Sequence, residues 1–311
     1  MATVFASVSV RGLASQKWNA RGRFLKFQYL LEPQWVHKNA DLSSFRCFLP
    51  KYISCSPRYT PFNQGIANTE NFQLFFQDAK SKTISPWHEI PLRAENGLFH
   101  MVVEVPKFAT AKMEIAKAIE YNPIQQDKKH GKLRHYPGPI YWNYGALPQT
   151  WEDPSLAGDE SVHESFGDND PLDIIEIGAE ALPLGCVIPV KILGAFSLID
   201  QGELDWKILA LQQDDPKFDE IDNLDDIEIS YPGTISGIRE WFRWYKTPDG
   251  KGVNMFGHSE QPIDRVAALK VIEKAHESYQ SLINGYCMQQ HDEIWRPQLF
   301  DQRTQHRDYI K

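Results

Sequence analysis

The densest chemistry in the chain is the run Gly167-Asp168-Asn169-Asp170-Pro171-Leu172-Asp173, three carboxylates within six residues with a Gly and a Pro to fix the turn. Carboxylates packed this closely repel and raise one another's pKa unless a cation neutralises them. An all-oxygen set suits Mg²⁺, and Mn²⁺ or another hard divalent cation would satisfy it too. Neither the spacing nor Pro171 matches an EF-hand calcium loop. The competing account is a solvated acidic turn, since charge runs usually are solvated faces.

A second cluster shifts that balance. Asp200-Gln201-Gly202-Glu203-Leu204-Asp205-Trp206-Lys207 ends one strand-like stretch and starts the next. A hairpin here holds Asp200 and Asp205 on opposite arms, close together. Lys207, two residues beyond Asp205, projects from the same strand face. A third group is Glu104 with Lys112 and Glu114, the last two sharing a face if extended. Arg134, Tyr144, Tyr245 and Lys246 add donors of the kind that bind phosphate, Arg by a bidentate fork and Lys as a point charge. Each cation alone reads as a surface side chain. Many carboxylates with several cations around short strands read as a polyanion held between metals.

The elements that must position these residues are mostly strands. Phe72–Gln77, Phe99–Val105 (closed by Pro106), Ile174–Gly178, Val187–Asp200 and Trp206–Leu211 read as strands, the piece near Met113 as a further strand or a short turn, and Gly194 as a bend or bulge. Short strands with Gly and Pro punctuation point to a small barrel rather than a βαβ sheet. Helices come late. Ile235, Ile238, Phe242 and Tyr245 recur at helical spacing before the Pro248-Asp249-Gly250 turn. A second helix is expected from about Pro262 to Asn284, with Val266, Leu269, Ile272, Tyr279 and Ile283 as its core stripe.

Composition narrows the class. A net charge of −8 over 311 residues argues against a nucleic-acid surface, which needs a basic stripe. No apolar run approaches the roughly 20 residues that span a bilayer, so no membrane partner is expected. The four cysteines, Cys47, Cys55, Cys186 and Cys287, are scattered without a CxxC pair, and are expected as unpaired thiols in a reducing compartment. The N-terminus differs from the rest: Arg11, Lys17, Arg21, Arg23, Lys26, Lys38, Arg46, Lys51 and Arg58 face only Glu32 and Asp41. That is the composition of an organellar transit peptide. The expected organisation is a transit peptide and flexible lead-in at 1–65, a catalytic domain at 66–290 and a polar, peripheral tail at 291–311.

The run GDNDPLD resembles the signature of the family I soluble inorganic pyrophosphatases, a highly specific motif. The resemblance runs from about Phe72 to about Leu282 and includes SPWHEIPL, VVEVPKFATAKMEI, KKHGKLR, NYGALPQTWEDP, DQGELDWK and EWFRWYKTPDGK. The HYPGPIYWN link and NMFG are most similar to the plastid-type eukaryotic branch. The resemblance implies a mainly β fold with flanking helices, a five-stranded OB-like barrel. It implies hydrolysis of diphosphate to two orthophosphates by metal-activated hydroxide, with several Mg²⁺ ions. Asp168, Asp173 and Asp205 match ligands of the tight activating metal, and Asp200 with Asp205 those of metals arriving with diphosphate. Glu104 and Glu114 match further acidic positions. Asp170 matches the residue that orients and deprotonates the attacking water. Lys112, Arg134, Tyr144, Lys207, Tyr245 and Lys246 match the phosphate-binding set.

There are departures. Gln201 stands where the family often has Glu, Lys107 where many members have Arg, and Gly252-Val253 follow PDGK. Ile140 stands where a tyrosine is often found, four residues before Tyr144. Tyr144 is expected to be a stronger phosphate donor than Tyr136 or Tyr141, at least one of which should only pack. The expected address is the chloroplast stroma, with the mitochondrial matrix as alternative; a homo-oligomer is compatible with all of this. A non-catalytic subunit of a larger assembly is the other reading, and the intact carboxylate set argues against it.

Overall fold

The computed structural model describes residues 55–285 and 293–297. Residues 1–54, with most of the expected transit peptide and Cys47, lie outside them, as do Cys287 and the end of the tail. Five strands close into a ring. Val187–Asp200 pairs antiparallel with Glu203–Gln212, which runs parallel to Asp173–Glu176. That strand is antiparallel to Asn143–Ala146, which pairs with Phe99–Val105, and Phe99–Val105 returns to Val187–Asp200. This is the mainly β architecture expected above, and two of its strands have the expected bounds, Phe99–Val105 and Val187–Asp200.

Both faces of the ring are covered, so its strands read as apolar runs rather than clean alternations. Ile175 and Leu209 fall in one core cluster and their neighbours Ile174 and Ile208 in the other. Two irregularities matter for the site. The register shifts between Val103 and Val105, around Glu104, and between Ile192 and Gly194. Bulges of this kind re-aim one side chain. The tight turn between the two longest strands is Gln201-Gly202, both at positive φ, the geometry that a two-residue hairpin demands.

A smaller sheet stands beside the ring, made of Tyr59–Gln64, Gln73–Asp78, Ile124–Gln126 and Met113–Ile115. Tyr59–Gln64 falls inside the segment read as flexible lead-in; it is instead a six-residue strand in register with Gln73–Asp78. Its half-exposed, polar sequence with Pro61 suits an edge and carries little hydrophobic signal. At the other end, residues 293–297 are not peripheral. Ile294 is buried, the Trp295 amide donates to the Lys117 carbonyl (2.8 Å) and Arg296 to that of Leu282 (3.0 Å).

The helix Thr234–Trp244 buries Ile238 and Phe242 as expected. The last helix, Arg265–Ile283, starts later than Pro262, because the Asp264 side chain caps it by accepting from the Ala267 amide (2.8 Å). Its buried stripe is Ala268, Ile272, Ala275, Tyr279 and Leu282. Val266, expected in the core, is 64% exposed: it sits about 200° around the helix from Ala268. The cysteine expectation is also overturned for one pair. Cys55 and Cys186, 131 residues apart, form a disulfide with Cα atoms 5.2 Å apart. The Ser56 amide donates to the Val187 carbonyl (2.8 Å) and so lays the two cysteines side by side, an adjacency that spacing alone cannot reveal.

Candidate active site

One cleft of about 220 Å³ collects all thirteen residues singled out from the sequence: Glu104, Lys112, Glu114, Arg134, Tyr144, Asp168, Asp170, Asp173, Asp200, Asp205, Lys207, Tyr245 and Lys246. The ring strands do most of this. Asp173, Asp205 and Lys207 project from adjacent strands, with Asp173 opposite Lys207 in the register. Asp200 and Glu203 face each other across the hairpin, and Asp205 faces Leu198, so the acids of both arms share a face. The bulge turns Glu104 so that its Oε1 accepts from the Ile115 amide (2.8 Å), which ties the ring to the smaller sheet.

Beside the acids that line the cleft stands a buried carboxylate that sequence reasoning passed over, Glu152. Carboxylate oxygens of Glu152, Asp168 and Asp205 lie within 4.8 Å of one another. Glu152 arrives because residues 151–153 run alongside the motif: the Asn169 amide donates to the Glu152 carbonyl (2.9 Å), and the Glu152 amide to the Asp170 carbonyl (2.9 Å). Trp151 Nε1 fixes the loop by donating to Asn169 Oδ1 (2.9 Å). Gly167 permits the approach, since a Cβ there would sit 2.6 Å from the Glu152 carbonyl group. The one sequence signal was an acidic pair, Glu152-Asp153, between Trp151 and Pro154.

Electrostatics marks these acids as a cation site. Burial, then the charges of Asp205, Asp170 and Asp173, push Asp168 well above the usual carboxylate range. Burial, then Asp168 and Asp205, do the same to Glu152. Burial raises Asp205 to about 8, with Lys207 opposing and Asp173 adding to the rise. Glu104 is raised by burial and by Asp173. Glu152 Oε2 and Asp200 Oδ1 are buried with no hydrogen-bond partner. Unsatisfied buried carboxylate oxygens are costly, and an oxygen-only donor set fits a hard divalent cation. The residues present therefore fit the implied metal.

The cations are held by their own partners. Burial opposes the charge on Lys207, but Asp173 and Asp205, both in contact with its ammonium, more than offset that and keep it charged. Its Nζ also donates to Tyr144 Oη (3.1 Å), and that hydroxyl donates to Asp173. Lys246 and Tyr245 both bond Asp200 Oδ2, the latter at 2.6 Å. Asp127, another residue not foreseen and not itself among those lining the cleft, takes Arg134 Nη1 at 2.8 Å and Lys112 Nζ at 3.3 Å on a single oxygen. Asp170 lies at the mouth, half exposed and paired with Lys117. Tyr136 lines the cleft, while Tyr141 is half exposed beside Phe108 and Trp142.

Buried acids that need a divalent cation, facing cations that need an anion, define a metal-dependent site for phosphoryl transfer to water. The model of the family described as inorganic pyrophosphatase matches residues 101–280, and the chain belongs to that family. It is 48% identical over 235 residues to the soluble inorganic pyrophosphatase 6, chloroplastic, of Arabidopsis thaliana, covering 74% of this chain and 78% of the relative. It is 45% identical to the soluble inorganic pyrophosphatase 1, chloroplastic, of Chlamydomonas reinhardtii, covering 73% and 80%. Among solved structures, the type I inorganic pyrophosphatase from Toxoplasma gondii superposes with a TM-score of 0.70 at 46% identity, covering 72% of this chain and 99% of that one.

Proposed function

We propose that this cleft hydrolyses inorganic diphosphate to two orthophosphates, with Mg²⁺ as the working cation. The observation that carries the reading is the convergence of thirteen residues from distant parts of the sequence on one cleft, acids on its floor and cations on its walls. Asp168, Asp173, Asp200 and Asp205, joined by Glu152, would hold the ions, with Glu104 and Glu114 acting beside them. Bound divalent cations would neutralise diphosphate and acidify water. Lys112, Arg134, Lys207, Tyr144, Tyr245 and Lys246 would grip the phosphate oxygens and stabilise charge on the departing phosphate. Asp170, half exposed in the cleft, would accept a proton from the attacking water as the P–O–P bond breaks. Its pairing with Lys117 would orient the carboxylate. No covalent enzyme intermediate is needed.

Similarity to two chloroplastic relatives, with a mitochondrial one of Mus musculus at 42% identity, supports an organellar address, the chloroplast stroma before the mitochondrial matrix. No helix among the described residues is long and apolar enough to cross a membrane. The test is phosphate release from diphosphate by the purified protein, expected with Mg²⁺ and absent in excess chelator. Asp170→Asn should stay folded and lose at least 10²-fold in rate, the scale of general acid–base catalysis. Full activity in chelator would overturn the metal assignment, and an active Asp170→Asn the assignment of the base.

A further inference from the structure

The link from Arg134 to Tyr144 holds three aromatic hydroxyls, and the structure separates their roles. Tyr144 is already engaged with Asp173 and Lys207. Tyr141 is 51% exposed and does not line the cleft. Ile140, fully buried, brings no polar atom.

Tyr136 is different. Its amide donates to the Thr110 carbonyl (2.7 Å), which pins the residue to the Lys112 wall. Its ring packs edge-on against Trp241 at 5.1 Å and tilted against Tyr245 at 6.1 Å. The hydroxyl has no hydrogen-bond partner among the described residues, yet it is not one of the polar atoms sealed from solvent, so it opens on the cleft. The charges that act on it are Lys112, Asp173, Lys207 and Glu104, the groups of the site itself. A phenylalanine would fill the same aromatic pocket without the cost of a part-desolvated hydroxyl.

We propose that Tyr136 is a substrate-contacting residue, its phenol donating a hydrogen bond to a phosphate oxygen held between Lys112 and Tyr245. Burial keeps the phenol protonated across the working pH range, so it acts as a donor throughout. The donor reaches the cleft from a sequence position eight residues before Tyr144, with its ring held from the helix side by Trp241 rather than from the strand. The inference rests on the diphosphatase reading above.

The experiment compares the full-length protein with Tyr136→Phe and Tyr141→Phe, measuring kcat/KM for diphosphate at saturating Mg²⁺ together with Tm. A hydrogen bond to a charged oxygen in a preorganised site predicts a loss of roughly 10- to 100-fold in Tyr136→Phe. Its Tm should stay at the wild-type value, because no protein bond is lost, and Tyr141→Phe should match the wild type. Tyr136→Phe activity within twofold of wild type overturns the inference, leaving the ring as packing. A fall in Tm that accompanies the loss of activity also overturns it, since the hydroxyl would then be structural. If the unsubstituted protein does not hydrolyse diphosphate, the reading beneath the inference fails first.

Discussion

His88 lets the structure set a pH dependence that can be measured apart from the catalytic cleft. The residue is 6% exposed, stacked on Trp87, and caught between the last helix and the chain beyond it. Its Nε2 lies 3.0 Å from the Trp295 carbonyl, and its Nδ1 3.0 Å from Tyr279 Oη. A carbonyl only accepts, so Nε2 carries the proton and Nδ1 accepts from the tyrosine hydroxyl. The neutral ring is therefore fully satisfied. Burial opposes a second proton, the Trp295 carbonyl partly favours it, Arg296 adds to the opposition, and the pKa falls from 6.5 to about 4.

A folded-state pKa below the unfolded one means that the unfolded chain binds the proton first. The associated stability is fully present above pH 6.5 and is lost as pH falls through the folded value. The full difference corresponds to about 3 kcal/mol, of which roughly 2 kcal/mol is lost by pH 5. The assay is urea unfolding of the wild type and His88→Gln at several pH values from 7 to 5. Glutamine keeps an amide donor for Trp295 but does not titrate, so the stability gap between the two proteins should narrow by roughly 2 kcal/mol over that range. Other titrating groups cancel in the difference. Curves that run parallel from pH 7 to pH 5 would refute the argument, whatever their absolute height.

Three further outcomes are expected. A reductant should lower the Tm of the wild type, because opening the Cys55–Cys186 bridge frees a 131-residue loop and costs roughly 2–4 kcal/mol; Cys55→Ser should show the lower Tm with or without reductant. Gly167→Ala should weaken Mg²⁺ binding by tenfold or more, on the scale of lost outer-shell support, because the new Cβ meets the Glu152 carbonyl at 2.6 Å; the check is the Mg²⁺ concentration that half-saturates the rise in Tm. Gly145→Ala should lower stability by several kcal/mol through overpacking, since its Cβ would fall 1.9 Å from the Val102 carbonyl; denaturant midpoints measure it.

The ring was legible where both faces of a strand are buried. Val187–Asp200 and Phe99–Val105 are long apolar runs, and their ends are punctuated by Gln201-Gly202 and Pro106, which leave little freedom over the bounds. Tyr59–Gln64 was not legible. It lies at the edge of the smaller sheet, its residues are exposed or half exposed, and its Pro61 reads against a strand unless the edge is already known. The docking of residues 293–297 was hidden for a related reason. Two apolar side chains in a polar stretch give no periodicity, and the contact is made mainly by backbone groups with His88, Lys117 and Leu282.

In the cleft, what was legible depended on whether a residue advertises its role by local density. Asp168, Asp170 and Asp173 stand within one turn, and crowded charge is itself a signal. Glu152 is more deeply buried than any of them, but it reaches Asp168 and Asp205 through pairing of residues 151–153 with 168–170, a relation between two loops. Asp127 is the sharper case. Beside Lys128 and Lys129 it reads as one member of a solvated charge run, yet one of its oxygens takes both Arg134 and Lys112 and so sets the spacing of the cationic wall. Lys112 and Arg134 lower its pKa more than burial raises it, so it stays ionised. A carboxylate that must stay charged to position two cations bears no ligand of its own. Composition cannot tell such a residue from surface charge; only the register between the 110–112 and 134–136 segments does, through Lys112 N to the Arg134 carbonyl (3.1 Å) and Tyr136 N to the Thr110 carbonyl (2.7 Å).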